Sequence, residues 1–198
     1  MKKVTTIIKA LAALMAVTVV ITINSCNSNS GNNSVNQSAV DSLRSQLINL
    51  TKGDSVISLE LVKFDTLDFT VFSNQQWDRL KETHSKDIKV YWPDGHIATG
   101  LDKHIKDLEA MFVYAPDTRI KEHPIRFGSG KYTGVVGVME GTFTKPMPIG
   151  NGKFIQPTGK AFKLPMATIG IWGEDGTMTE EHLFWDNQSY MNQLGIGK

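Results

Sequence analysis

Residues Lys160–Trp185 read KAFKLPMATIGIWGEDGTMTEEHLFW. Two apolar, β-branched and aromatic segments, Lys160–Trp172 and Thr177–Trp185, flank the turn Glu174-Asp175-Gly176, which predicts an antiparallel hairpin. Two more strands precede it: Arg119–Phe127 and Lys131–Thr144, joined by Gly128-Ser129-Gly130 as a tight turn. A loop rich in Pro and Gly, Lys145–Gly159, links the two pairs. A short helix, Asn187–Leu194, follows, with Gly195 as its C-cap. Working back, Leu101, Ile105, Leu108 and Phe112 mark a helix that Pro116-Asp117 ends. Before it, Ile88, Val90 and Trp92 alternate as a strand, closed by the turn Pro93-Asp94-Gly95. Val56–Phe72 reads as a helix, and Ser73-Asn74 caps a second one that carries Trp77, Leu80 and His84 on one face. Helices first and a long meander afterwards give an α+β fold. A curved antiparallel sheet with N-terminal helices packed over its concave face forms a cone, and a cone leaves a pocket.

The chain has 198 residues, of which 40% are apolar, enough for one core plus a leader. With 21 basic and 20 acidic residues it lacks the positive excess that collects phosphates, so no nucleic-acid partner is expected. One cysteine excludes an internal disulfide. Met1-Lys2-Lys3 followed by an apolar run to Ile23 has the anatomy of a signal peptide over residues 1–25; a transmembrane helix is the rival reading, but the run is short and broken by Lys9, Thr18 and Thr22. Ile23-Asn24-Ser25-Cys26 resembles a bacterial lipobox, which implies lipidation of Cys26. The residues after it are rich in Asn, Ser and Gln and form a flexible tether. Val40, Leu43, Leu47 and Leu50, followed by Gly53, add a short amphipathic helix or the end of the linker. The expected organisation is therefore a signal peptide over 1–25, a lipidated tether with a short helix over 26–54, and a pocket domain over 55–198. The expected location is the cell envelope, with the membrane contacted through the N-terminal lipid.

Several motifs carry a family resemblance. They are Gly141-Thr142-Phe143, Pro157-Thr158-Gly159-Lys160, Asp175-Gly176, Phe184-Trp185-Asp186 and Gln193-Leu194-Gly195. Together they resemble the SnoaL-like polyketide cyclases, or ester cyclases, over about residues 56–197. The resemblance implies the cone of the nuclear-transport-factor-like superfold, a homodimer formed through the sheet, and ring closure by intramolecular aldol condensation without metal or cofactor. It also implies an aspartate three residues before the position of Asp186, and a glutamine and a histidine on the preceding strand. Here those positions read Leu183, Ala167 and Ile169. The family name thus predicts a fold more firmly than an activity.

Other polar groups become the candidates. Strand alternation puts Glu181, Leu183 and Trp185 on one face, and Glu180, His182 and Phe184 on the other. If Leu183 faces the pocket, Glu181 does too, as an acid or base in an apolar cavity or as one half of an ion pair at the rim. Glu140, on a central strand, is either buried with a partner or faces a cavity. His84 is a core histidine or a pocket group. Met111, Phe112, Leu183 and Trp185 are expected to line the pocket, or simply to fill the core. Asp186 is expected near the pocket, with helix capping as its simpler role. His96 and His104 lie near Asp94 and Asp107, but no spacing matches a metal-ligand set, and neither metal nor cofactor is expected. Two functions follow as expectations: binding or cofactor-free acid–base conversion of a small apolar or aromatic molecule, or a non-catalytic binding or interaction module on the cell envelope.

Overall fold

The structure, a computed structural model, describes residues 37–197. The leader, Cys26 and the polar segment after it lie outside the described residues. Residues from Asp41 onward form one compact unit.

Helix α1 (Gln37–Thr66) is a single helix of 30 residues. The expected short helix ending at Gly53, and a second beginning near Val56, are therefore continuous. A glycine in a helix interior costs only about 1 kcal/mol relative to alanine. The polar side chains of this segment also turn inward on the helix: the hydroxyls of Ser45, Thr51, Ser55 and Ser58 each donate to the carbonyl four residues back. The C-terminal half docks through Phe64, which is fully buried, and through Lys63, whose ammonium donates to the Gly176 carbonyl at 2.5 Å. Leu43, Leu47 and Leu50, in the N-terminal half, are exposed. Among the described residues no helix is long and apolar enough to cross a membrane.

The chain continues through a π-helical turn, Leu67–Phe72, and a 3-10 helix, Trp77–Glu82, into β1 (His84–Tyr91). His84 thus opens a strand and is not on a helix with Trp77 and Leu80. Next come β2 (Ile97–Thr99) and α2 (Leu101–Tyr114). Gly100 joins them at φ +90°, a conformation that L side chains rarely adopt. The predicted strand Arg119–Phe127 is divided into β3 (Arg119–Ile120) and β4 (Ile125–Ser129), both paired with β5 (Tyr132–Thr142). Pro124 lies in the break, where a missing N–H ends a ladder. The Pro- and Gly-rich loop holds a small hairpin, β6 (Met147–Pro148) and β7 (Phe154–Ile155). Then follow β8 (Ala161–Trp172), β9 (Met178–Phe184) and α3 (Asn187–Leu194).

The main sheet runs β2-β1-β9-β8-β5-β3, with β4 also on β5. Its spine is the antiparallel β5–β8 ladder, from Tyr132 opposite Ile171 to Thr142 opposite Ala161. The sheet is antiparallel except where β1 joins β9 in parallel. The α+β cone stands: a curved sheet with helices on its inner face. On β8 the buried residues are even-numbered, among them Phe162, Leu164, Met166, Thr168 and Trp172. They meet Phe64, Leu67, Phe72, Leu108 and Met111 from the helical side to make the core. Ala167 and Ile169 therefore point outward, and Ile169 is exposed. The two cyclase positions that Ala167 and Ile169 match are therefore one residue out of phase with the pocket face. A one-residue slip exchanges the two faces of a strand, and the β8–β9 ladder is irregular between Ile171 and Trp172.

Candidate functional site

Three elements converge inside the cone. β9 carries Glu181, β1 starts with His84, and one turn into α2 stands His104. All three are buried, at 5%, 2% and 2% exposure. His84 Nε2 lies 3.6 Å from Glu181 Oε2, and His104 Nε2 lies 3.4 Å from the same oxygen. The two imidazoles stack at 5.2 Å. His84 is oriented by its other nitrogen. Nδ1 is 3.2 Å from the Leu80 carbonyl, which can only accept, and 2.8 Å from Thr83 Oγ1, which itself donates to that carbonyl. Nδ1 therefore carries the proton, and in the neutral ring Nε2 presents its lone pair to Glu181.

These groups stand on the wall of a cavity of about 40 Å³. Apolar side chains make up most of the rest of the wall, among them Leu80, Trp92, Met139, Leu183 and Trp185. Glu181 Oε2, His84 Nε2, His104 Nδ1 and Trp92 Nε1 are buried without a hydrogen-bond partner. Such groups cost about 1–3 kcal/mol each when left unpaired, and buried polar atoms of this kind concentrate where a ligand or function compensates them. Burial works against a charge on Glu181; its carboxyl is held below the ordinary range only while His84, and to a smaller degree His104, carries a proton on the nitrogen that faces it. Burial pushes His104 down to about 4, so it is neutral at pH 7.

A second carboxyl shares the cavity. Asp68, on the π-helical turn, lines the wall opposite β9. Burial first, then the charge of Glu181, raises its pKa above the ordinary value. Its Oδ2 lies 2.7 Å from His123 Nε2, and His123 Nδ1 lies 2.8 Å from Asp65 Oδ1. Burial opposes a charge on His123, but the two aspartates outweigh it and raise its pKa. Arg126 binds Asp65 from outside, so a chain of ionisable groups runs from the cavity wall toward the surface.

The predicted residues separate cleanly. Glu181, His84, Met111, Leu183 and Trp185 all line the cavity, and Glu181 and Leu183 share the inner face of β9 as the alternation predicts. His182 is on the outer face, stacked on Tyr91 at 4.2 Å. Phe112 is not on the wall; it packs one layer behind, against Phe72 and Trp77. Asp186 is not on the wall either: its Oδ1 accepts from the Ser189 amide at 3.0 Å and caps α3. Glu140 is excluded as a cavity base. It lies outside the cavity, held by Arg119 at 2.9 Å, Lys121 at 2.5 Å and Lys163 at 3.8 Å. Lys121 and Arg119 hold its carboxyl down to about 2. Asp68 and His123 escaped the sequence reading, and His104 entered it only beside Asp107. A visible signal for Asp68 was its place among Phe64, Leu67, Val71 and Phe72, where a carboxylate interrupts an apolar face.

A comparison with curated proteins finds no match. Solved structures share the fold. A candidate SnoaL-like polyketide cyclase from Jannaschia sp. CCS1 superposes with a TM-score of 0.62 at 16% identity, covering 72% of this chain and 96% of that one. IdmH, a candidate polyketide cyclase from Streptomyces antibioticus, gives 0.57 at 18% identity, covering 69% and 99%. A protein of ketosteroid isomerase-like fold from Catenulispora acidiphila, solved with trimethylamine, gives 0.54 at 13%, covering 69% and 92%. At these identities the likeness extends to the fold alone. The family profile described as SnoaL-like polyketide cyclase matches residues 65–194, which spans the π-helical turn, the three helices after it and the whole main sheet, and the chain therefore belongs to the SnoaL-like polyketide cyclase family.

Proposed function

We propose that this domain binds a small apolar or aromatic organic molecule in the cone and converts it by acid–base chemistry of its own side chains. The carrying observation is the set of unpartnered polar atoms, Glu181 Oε2, His84 Nε2 and Trp92 Nε1, on an otherwise apolar wall. A substrate with an acidic C–H next to a carbonyl fits that arrangement. Glu181 accepts the proton, and the Trp92 N–H serves the developing enolate oxygen. His84 and His104 keep Glu181 positioned. The cyclase acid/base position remains Leu183, so the base comes from two residues earlier on the same inner face. The test is a screen of small aromatic ketones and esters by ligand-induced shift in melting temperature, followed by turnover assays on the hits. Glu181→Gln keeps the shape and removes the acceptor. It should abolish turnover while leaving binding within a few-fold, and unchanged turnover excludes Glu181 as the base.

One observation favours the second reading, a non-catalytic binding or interaction module. A cavity of about 40 Å³ is small beside the ~300–1,000 Å³ of typical ligand pockets. A substrate larger than this space requires the wall to move, and the Trp92–Trp185 pair, in edge contact at 5.9 Å, is its aromatic part. Binding of hits without any turnover selects this reading. For the N-terminus we propose export and a lipid anchor at Cys26. Cys26→Ser should move the protein from the membrane to the soluble fraction, and continued membrane association rejects the lipid.

A further inference from the structure

We infer that His84, His104 and Glu181 form a binding site for one divalent transition-metal ion of the zinc class. The inference rests on the same cluster as the proposed acid–base function and concerns what else occupies it.

The geometry comes first. Among the described residues, this is the one group of three His, Cys, Asp or Glu side chains whose donor atoms all lie within 4.8 Å of one another. A tetrahedral ion with bonds of ~2.0–2.1 Å separates its ligand atoms by about 3.3–3.4 Å. His104 Nε2 and Glu181 Oε2 are 3.4 Å apart, and His84 Nε2 and the same oxygen 3.6 Å. Two edges of a coordination tetrahedron are thus in place, and the third pair of donor atoms lies within 4.8 Å.

The chemistry of the donors comes second. Two imidazoles and one carboxylate form a common ligand set for zinc and for ferrous or cobaltous ions that keep an open position. His84 has the outer-shell support that metal-bound histidines carry: its Nδ1–H is spent on the Leu80 carbonyl and Thr83 Oγ1, which aims Nε2 inward. Nε2 and Oε2 have no hydrogen-bond partner, so a lone pair and a carboxylate oxygen face each other in a buried site. A cation between them resolves that conflict. The cavity beside them, about 40 Å³, has room for a metal-bound water. The fourth position then opens toward Leu183, Trp92 and Trp185 on the cavity wall. An ion and a substrate proton compete for the same Glu181 oxygen. Metal occupancy therefore takes Glu181 away as a base, and the metal controls the proposed reaction. The ligands come from β1, α2 and β9, which is why no local spacing in the sequence announces them.

The test uses the full chain, stripped with chelator and titrated with Co²⁺ and Zn²⁺. One equivalent of Co²⁺ should bind with the strong visible absorption of a four-coordinate ion, and Zn²⁺ should displace it stoichiometrically. Zn²⁺ should also raise the melting temperature. Loss of a ligand in His84→Gln, His104→Gln or Glu181→Gln should weaken binding by more than the ~10–100-fold typical of losing an outer-shell partner. His96→Gln, outside the cluster, should bind like the wild type. Far-UV circular dichroism shows which variants stay folded; if the cluster variants unfold, the wild-type spectrum and stoichiometry alone decide. Weak octahedral cobalt absorption, no saturable binding, or binding that survives His104→Gln in a folded protein overturns the inference. None of those outcomes touches the Glu181→Gln turnover assay. Conversely, metal binding with unchanged turnover in that variant defeats the acid–base function and leaves the metal site.

Discussion

His104 Nε2, on the first turn of a helix, stands 3.4 Å from Glu181 Oε2, on the last strand of the sheet, with both side chains almost wholly out of water. Removing one polar neighbour of a buried carboxyl costs about 1–3 kcal/mol, whereas a whole polar cluster replaced by apolar residues of similar size is often neutral or stabilising. His104→Leu alone should therefore destabilise the domain by about 1–3 kcal/mol, as should His84→Leu. The triple change to Leu at His84, His104 and Glu181 should recover most of that loss. Denaturant titration of the three proteins provides the measurement. Additive losses in the triple variant would show that the cluster contributes net stability, which would remove the reason for assigning it to function.

Glu140 gives the pH dependence with the clearest sign. Its carboxyl falls from an ordinary 4.5 to about 2 in the folded chain, because Lys121 and Arg119 bond to it. A group with a depressed folded pKa contributes stability that is fully present above the unfolded value. That stability disappears as pH falls through the folded value. The difference in melting temperature between wild type and Glu140→Gln should be constant near neutrality, shrink below about 4.5 and vanish near 2. Since these are surface pairs, its size at neutral pH should be about 0.2–1 kcal/mol for each pair lost. A difference that grows on acidification contradicts the assignment.

Much of this was legible because local physics and the fold agree. Asp186 caps α3, Gly195 ends it at φ +77°, and the period of two places Glu181 with Leu183 on one face. The misreadings come from residues whose role is set at a distance. His84 matches a helical period with Trp77 and Leu80, yet it begins a strand, because its neighbour in space is Met178 across a parallel pairing. His104 looks like one more polar residue on an amphipathic helix until β9 brings Glu181 to it. Ala167 and Ile169 lie on the outer face of β8, and a strand allows no error of one residue in matching positions to a face. Gly53 marks a helix end in isolation, but the segments on both sides favour helix strongly enough to pass through it.

A methyl group added at Gly53 meets nothing within 4 Å, and the site has helical backbone on both sides. Gly53→Ala should stabilise α1 locally by about 0.8–1 kcal/mol. The exposed N-terminal half contributes little to the core, so global melting is a poor probe. Amide hydrogen exchange over residues 41–58 should slow by about 4-fold, as that free energy implies for local opening. Unchanged exchange means that the helix is interrupted at Gly53 in solution.

The outer face of the sheet makes the final prediction. Ile125, Val136, Ala167 and Phe184 lie opposite one another in register, and form one apolar row across β4, β5, β8 and β9. Phe127, Gly134 and Ile169 form the next row, and the Phe127 ring lies over Gly134. Ile125, Phe127, Ile169 and Phe184 are exposed on it. A sheet face with its large side chains in cross-strand rows is flat enough to meet its own copy, and a contiguous apolar patch of this kind marks an interaction surface. A homodimer formed through this face is the expected state. Ile169→Asp and Phe184→Asp should each weaken dimerisation at least tenfold, since about 1.4 kcal/mol suffices for that and a charge placed in an apolar interface costs more. Glu140→Gln, away from the rows, should not. Sedimentation equilibrium measures all three. A wild-type monomer at tens of micromolar, or dimerisation indifferent to both aspartates, assigns the rows to another partner.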